Sequence, residues 1–389
     1  MSSTNRDYLD SSKKLAAFVK EASAAPVLAV DTEFIRERTF FPQLCLVQLA
    51  TADRSVIIDP ITLQDLSPLK ELLLSQSIVK VFHAGEQDIE LIYSNLSLIP
   101  EPIFDIQLAA ELLGMPQQAS LRTLVREFAG VRLAKSISFS NWNTRPLAAT
   151  QIDYALDDVR YLPRIYSRMH ERLEKLGRLE WLEEDFAALA DVSRYTTQPE
   201  HAWRKVKHSS TLNLSQLCVL KEVAATREML AMKRNFPRKW IITDELLLEI
   251  ARLSPTNVEE LFHLRGAENQ LGRHWSNDII AAVERGLNLS PEEQPQRGQS
   301  PFRITINAAA NDMLRALINQ RARDNQVTPS MIVNKDELVR LIAGNREDLR
   351  ILTGWRYKLV GAELLKLLDG KLTLCLKDNK IEVTESIGD

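Results

Sequence analysis

The chain predicts an α/β domain, a mixed sheet flanked by helices, followed by two small all-α modules. Three observations carry that expectation. Residues 26–31, 44–50, 55–59 and 78–83 are short runs rich in Val, Ile and Leu, the pattern of strands buried on both faces. Helical periodicity alternates with them, over Leu66–Leu74, Glu86–Tyr93, Phe104–Leu113, Leu121–Phe128 and from Thr150 to Leu176. Beyond about residue 180 the strand signal ends, and amphipathic helical segments run to the end of the chain.

Each element has a local reason. Thr51-Ala52-Asp53-Arg54 separates the second and third runs and reads as a hairpin turn. The long helix is expected to start at Thr150, with Asp153 as a capping-box-like partner. Pro163 lacks a backbone donor, so it should interrupt that ladder at Val159 and bend the helix. In the helical half, the Pro-, Gln- and Ser-rich stretch 288–302 reads as a linker. Its two sides look alike. Asp244-Glu245-Leu246 with Ile250-Ala251 recurs as Asp336-Glu337-Leu338 with Ile342-Ala343, and each is preceded by Leu and Arg seven apart (Leu220 and Arg227; Leu314 and Arg321). The expected parts are therefore 1–205, 206–290, a linker at 291–302, and 303–389.

Composition bounds the chemistry. A hydrophobic fraction of 45% and a charged fraction of 26% over 389 residues fit a globular protein of two or three domains. No window approaches the roughly 18 apolar residues of a membrane span, and MSSTNRDYLD lacks the apolar core of a signal peptide, so a cytoplasmic location is expected. Cys45, Cys218 and Cys375 lie far apart, which argues against a zinc site or disulfide framework. Any metal is then held by oxygen. Net charge is −7 for residues 1–200 and +4 for residues 201–389, together the overall −3. One part concentrates carboxylates and the other suits phosphates.

Four carboxylates and a phenol are the candidate site: Asp31, Glu33, Asp88, Asp158 and Tyr154. Asp31 and Glu33 sit two apart at the end of an apolar strand, so its period points both to one face. Asp88 follows the 78–83 strand and Ala84-Gly85, in the expected first turn of a helix, where an α/β sheet presents its ligands. Tyr154 and Asp158 share a helix face at a spacing of four; Asp157 points roughly 100° away. Taken singly, each acid has an ordinary structural reason, as a solvated strand end, a helix N-terminus or a polar helix face. Together, and without a Cys or His cluster, they select hard cations, Mg²⁺ or Mn²⁺. Two such ions could activate a water and stabilise the departing 3′ oxygen of a phosphodiester, with Tyr154 orienting the water.

AVDTEFIRERTFFPQLCLVQL, FHAGEQDIELI, FDIQLAAELLG and SNWNTRPLAATQIDYALDDVRYL resemble the motifs of DEDD-superfamily 3′–5′ exonucleases with a Y-x-x-x-D third motif, and specifically bacterial ribonuclease D. The resemblance covers nearly the whole chain, since that family carries two helicase-and-RNase-D C-terminal (HRDC) domains after a ribonuclease H-like exonuclease domain. It implies metal ligands at Asp31, Glu33, Asp88 and Asp158, a water-positioning tyrosine at Tyr154, and Asp158 rather than Asp157. It further implies a hydrolase that trims structured RNA precursors, notably tRNA, releasing nucleoside 5′-monophosphates; a monomer is expected. Cys45 stands where a small residue such as Gly is usual, and Asn141 where Asp is common; neither removes a ligand.

RNA contacts are expected where basic and aromatic residues interleave: Trp203, Arg204, Lys205 and Lys207, then Lys233, Arg234, Phe236, Arg238, Lys239 and Trp240. Phe236 and Trp240 read equally as core of a small helical module. Phe34, His83, Trp142 and Arg145 are nucleotide contacts or packing groups by the same token. Two other functions stay open on sequence. One is a non-catalytic RNA-binding scaffold, against which all five site residues count. The other is a DNA exonuclease, against which only the C-terminal modules count.

Overall fold

The computed structural model describes residues 7–63, 65–133, 141–295 and 306–386. The chain divides into two compact units, one of Met1–Glu33, Cys45–Asp191 and Gln299–Asp389, the other of Phe34–Leu44 and Val192–Gly298.

In the first unit a six-stranded mixed sheet has the order β1-β4-β3-β2-β5-β6. Its strands are β1 (Tyr8–Leu9), β2 (Val27–Ile35), β3 (Gln43–Ala50), β4 (Ser55–Ile58), β5 (Val79–Phe82) and β6 (Ile103–Asp105). β3 and β4 form the expected hairpin, antiparallel from Val47↔Ile58 to Ala50↔Ser55, with the Thr51 N–H donating to Arg54 O at 2.8 Å. β2 and β5 are parallel, as are β5 and β6, so β2 and β5 run side by side in one direction. Around the sheet lie α1 (Ser12–Ala22), α2 (Leu69–Leu74), α3 (Glu86–Leu96), α4 (Ile106–Glu111), α5 (Leu121–Leu124), α6 (Ala149–Arg160), α7 (Leu162–Lys175) and α8 (Glu183–Ala190).

Three local expectations change. β2 continues to Ile35, so Asp31 and Glu33 lie inside a strand rather than at its end. Phe104, read as the start of a helix, belongs to β6; α4 begins at Ile106 because the Asp105 side chain caps it, accepting from the N–H groups of Gln107 and Leu108. At the start of α6 it is Gln151, not Asp153, whose side chain accepts from the Ala148 N–H, at 3.0 Å. The proline expectation stands. The helix divides at Tyr161, and Pro163 occupies the first turn of α7, where no intrahelical donor is needed.

The second unit holds α9 (Leu214–Arg234), α10 (Arg238–Ile241), α11 (Asp244–Leu253), α12 (Val258–Phe262) and α13 (Ala267–Leu287) around their own core, which includes Val219, Leu220, Val223, Leu247, Ile250, Ile279 and Val283. Buried Arg227 ties α9 to the start of α11, donating to Ile242 O and to Asp244 Oδ1 at 2.7 Å. Phe236 and Trp240 are exposed rather than core. Arg238 is engaged internally, forked onto Glu228 at 2.5 and 2.6 Å.

The C-terminal helices are α14 (Ala308–Asp324), α15 (Pro329–Ile332), α16 (Lys335–Ile342), α17 (Gly354–Arg356) and α18 (Ala362–Leu368). The order of long helix, single turn and capped helix in α14–α16 repeats that of α9–α11, and Leu314 is buried like Leu220. The arginines diverge, since Arg321 forks onto Glu363 at 2.7 and 2.8 Å. Leu317, Ile318, Leu341, Ile351 and Val360 join one hydrophobic cluster with Val81, Phe104, Val159 and Ile165 of the sheet domain. The expected all-helical end is corrected by an antiparallel hairpin, β7 (Leu372–Lys377) and β8 (Lys380–Glu385). Residues 296–302 of the expected linker lie outside the described residues.

Candidate active site

Strand periodicity puts Asp31 and Glu33 on one face of β2, and the turn of α6 brings Asp158 to meet them. One carboxylate oxygen from each of the three lies within 4.8 Å of the others. Asp157 is elsewhere, paired with Arg160 at 3.2 Å, so the 100° between neighbours on α6 separates the two acids as their spacing predicts. Tyr154, one turn before Asp158, hydrogen-bonds to it.

Asp88 stands in the first turn of α3 and is buried. It is not one of the three clustered carboxylates; its Oδ1 accepts from the Thr32 hydroxyl at 2.5 Å. Its position depends on the β5–α3 junction, which buried Asp105 organises by accepting from Gly85 N–H at 2.8 Å and Ala84 N–H at 3.3 Å. Gly85 is required for packing, since a Cβ there would meet Phe82 Cβ at 2.5 Å. Thr32 and Asp105 are supporting residues that sequence reasoning missed. The signal was present in both cases: Thr32 is the residue enclosed by the D-x-E pair, and Asp105 is a helix cap before an apolar run.

The electrostatics are those of acids crowded out of water. Burial, then the charges of Asp88, Asp158 and Glu33, push Asp31 well above the usual carboxylate range. Burial, then Asp158 and Asp88, raise Glu33 to about 8. Asp88 is raised by burial and by Asp105 against the pull of its Thr32 bond, and Asp158 by burial and by Asp157 and Asp88 against its Tyr154 bond. Tyr154 is raised by burial and by Asp158, Glu33 and Asp31, so its phenol stays neutral. Such a cluster favours uptake of either protons or positive charge. An all-oxygen donor set of this kind fits a hard divalent cation, and among the described residues it is the only group of three or more candidate ligands found.

Arg145, Trp142 and His83 are held by contacts within the protein. The Arg145 guanidinium forks onto Asp59 at 2.7 and 2.8 Å and donates to Trp142 O and to Cys45 O, anchoring the loop before α6 to β3 and the end of β4. Buried Trp142 packs beside Tyr154, ring centroids 6.1 Å apart. His83 Nε2 lies 2.9 Å from Ala119 O.

Known proteins resemble this chain along nearly its whole length. A family model described as a 3′–5′ exonuclease matches residues 7–174, and an HRDC domain model matches residues 216–283. Ribonuclease D of Sphingobium indicum is 40% identical over 383 residues, spanning 96% of this chain and 97% of that protein. Ribonuclease D of Zymomonas mobilis is 38% identical over 380 residues, 96% of each. Among solved structures, Escherichia coli RNase D, described as an exoribonuclease involved in structured RNA processing, aligns with a TM-score of 0.80 at 29% identity, covering 93% of this chain and 98% of that one. A sheet that crowds acids from β2 and α6, continuous with an HRDC-containing helical half and matched end to end by such relatives, makes this chain a member of the ribonuclease D family of 3′–5′ exoribonucleases.

Proposed function

We propose that the chain trims the 3′ ends of structured RNA precursors such as tRNA in the cytoplasm, as a monomer, releasing nucleoside 5′-monophosphates. Asp31, Glu33, Asp88 and Asp158 hold two divalent ions, Mg²⁺ or Mn²⁺. The observation that carries this is the meeting of Asp31, Glu33 and Asp158 within 4.8 Å, with Asp88 close enough for its charge to raise Asp31. When bound, the ions lower the pKa of a water and offset charge on the leaving oxygen. Asp31 feels the charges of both Asp158 and Asp88, so it would share in holding the positive charge that relieves their repulsion. The neutral Tyr154 hydroxyl donates a hydrogen bond to Asp158, leaving its oxygen lone pairs to accept from the attacking water and turn it toward phosphorus.

Residues 1–205 form the exonuclease domain in this reading, 206–290 the first HRDC domain, 291–302 a linker and 303–389 a second HRDC-like domain. Support for the last is the repeated element order of α9–α11 in α14–α16.

Matched RNA and DNA with labelled 3′ ends, incubated with the purified protein and Mg²⁺, Mn²⁺ or chelator, test the reading. Mononucleotide release is expected from RNA, only with the ions, and not in Asp31→Asn or Asp158→Asn. Release that survives chelation, or persists in either variant, removes the metal mechanism; equal release from DNA removes the RNA assignment.

A further inference from the structure

Three large aromatic side chains in the second unit remain exposed on neighbouring stretches of chain: Phe41 at 39%, Phe236 at 40% and Trp240 at 47%. Phe236, in the connection after α9, and Trp240, in α10, lie side by side with ring centroids 6.0 Å apart. Phe41 is brought to the same junction from a distant part of the sequence, because its N–H donates to Asn235 Oδ1 at 3.0 Å. Asn235 is the left-handed residue that ends α9, next to Phe236.

The support beneath these rings is stiff. Phe40 is buried in the core of the unit, edge-to-face with Phe41 at 4.9 Å. The Arg238 guanidinium sits 4.5 Å from the centre of the Phe40 ring and forks onto buried Glu228. That fork also pairs the buried Glu228 carboxylate, whereas Lys233, Arg234 and Lys239 flank the rings in sequence and are exposed. A surface of rigid, solvent-facing rings bordered by cations, with its buried carboxylate cancelled, matches what a flexible polyanion with flat apolar bases requires. A folded protein partner would more usually meet depleted lysine and a closed apolar centre.

We propose that Phe41, Phe236 and Trp240 form a stacking platform for a single-stranded segment of RNA, with Lys233, Arg234 and Lys239 taking its phosphates. Every base has a π-face, so the platform is tolerant of sequence and selective for unpaired nucleotides, which a duplex cannot offer. The assignment deepens the proposed function and rests on RNA being the substrate. It also narrows the basic stretch expected from sequence, since Arg238 is a support and not a phosphate ligand.

The test uses the full chain in chelator, where hydrolysis is suppressed, and a fluorescent single-stranded RNA decamer read by anisotropy. Phe236→Ala/Trp240→Ala and Phe41→Ala should each weaken binding, by about tenfold or more for the double variant, while Trp240→Phe binds within about threefold of wild type. The aromatic variants should keep the salt dependence of the wild type, and Lys233→Gln/Arg234→Gln/Lys239→Gln should flatten it. Hydrolysis of the p-nitrophenyl ester of uridine 5′-phosphate, which carries a single nucleotide and no RNA strand, should be unchanged in all of them. Decamer affinity unaltered in Phe236→Ala/Trp240→Ala overturns the platform, as does an equal loss for blunt duplex RNA. Self-association of the wild type that the same substitutions abolish overturns it too, by assigning the face to a second copy. If the wild type binds the decamer through these rings yet hydrolyses no RNA, the activity fails and the platform stands; if it hydrolyses RNA while the variants bind normally, the reverse holds.

Discussion

Thr32 lies between the two acids of β2 and donates its hydroxyl proton to Asp88 Oδ1 at 2.5 Å, fixing the one site carboxylate that stands outside the Asp31–Glu33–Asp158 cluster. The bond joins a strand to the helix of the neighbouring parallel strand, so it sets where Asp88 presents its second oxygen. Thr32→Val keeps the shape and removes the donor. Turnover is expected to fall about 10- to 100-fold, as for other groups that orient a metal ligand, with decamer affinity in chelator unchanged. Thr32→Ser, which restores the hydroxyl, should recover most of the loss. A Val variant with wild-type metal dependence and turnover would show that Asp88 is held by its backbone alone.

Tyr154 and Asp158 share a hydrogen bond on one face of α6, and burial together with three nearby carboxylates keeps the phenol protonated. Tyr154→Phe removes one hydroxyl and leaves the ring against Trp142. Turnover should drop about 100-fold or more, within the range for positioned proton and water contacts, while the metal concentration for half activity moves little. Isothermal titration of Mn²⁺ into the variant checks this. Loss of metal binding would assign the phenol to the ligand set instead.

The acids were legible in the sequence because each rests on a short-range rule. Alternation aligns Asp31 with Glu33, and a spacing of four aligns Tyr154 with Asp158. Asp88 was harder, since its place depends on Asp105, twenty residues beyond Gly85, and no local pattern links the two. The terminal hairpin was overlooked for a different reason. Lys380-Ile381-Glu382-Val383 alternates and Asp378-Asn379, both with positive φ, forms the turn, but both strands are largely exposed and lack the Val and Ile runs that marked the buried sheet. Which aromatics face solvent was undecidable from spacing. Phe236 and Trp240 have the composition of a core, and only their place at a helix junction leaves them outside it.

Arg145 and Asp59 supply a pH-dependent part of the stability. Burial pushes the Asp59 carboxyl up, yet hydrogen bonds from Arg145, Tyr8 and Thr62 together bring it down to about 2. Because the folded value lies below the ordinary 3.8, the stabilisation is complete above the unfolded value and is lost as pH falls from about 4 toward 2. At about 1.4 kcal/mol per unit, the contribution is on the order of 2 kcal/mol. Urea unfolding at pH 7 and pH 3 should show a smaller difference in Asp59→Asn than in wild type. Arg145→Met, which strands a carboxylate only 1% exposed, should cost about 3 kcal/mol or more at pH 7 and slow turnover through the Trp142 loop. Parallel pH curves for Asp59→Asn and wild type would place the acid sensitivity elsewhere.

Arg356 and Arg350 reach the same two acids, Glu184 and Asp185, but from different surroundings. Arg356 is 1% exposed and also donates to Met331 O at 2.8 Å, while Arg350 is 43% exposed. Burial lowers the pKa of Arg356, so its charge is held there only because both carboxylates and the carbonyl meet it. Removing Arg356 strips a buried network of its centre, and Arg356→Met is expected to cost about 3–5 kcal/mol. Removing Arg350 gives up a pair that water already screens, and Arg350→Met should cost under about 1 kcal/mol. Trp355, whose indole stacks on Trp181 at 4.4 Å and donates to its carbonyl, stands beside this network. Its loosening in Arg356→Met should appear as a red shift of tryptophan emission before global unfolding. Equal destabilisation by the two substitutions would mean that burial does not set the worth of these pairs, and that α17 is held to α8 by its rings and the shared apolar core.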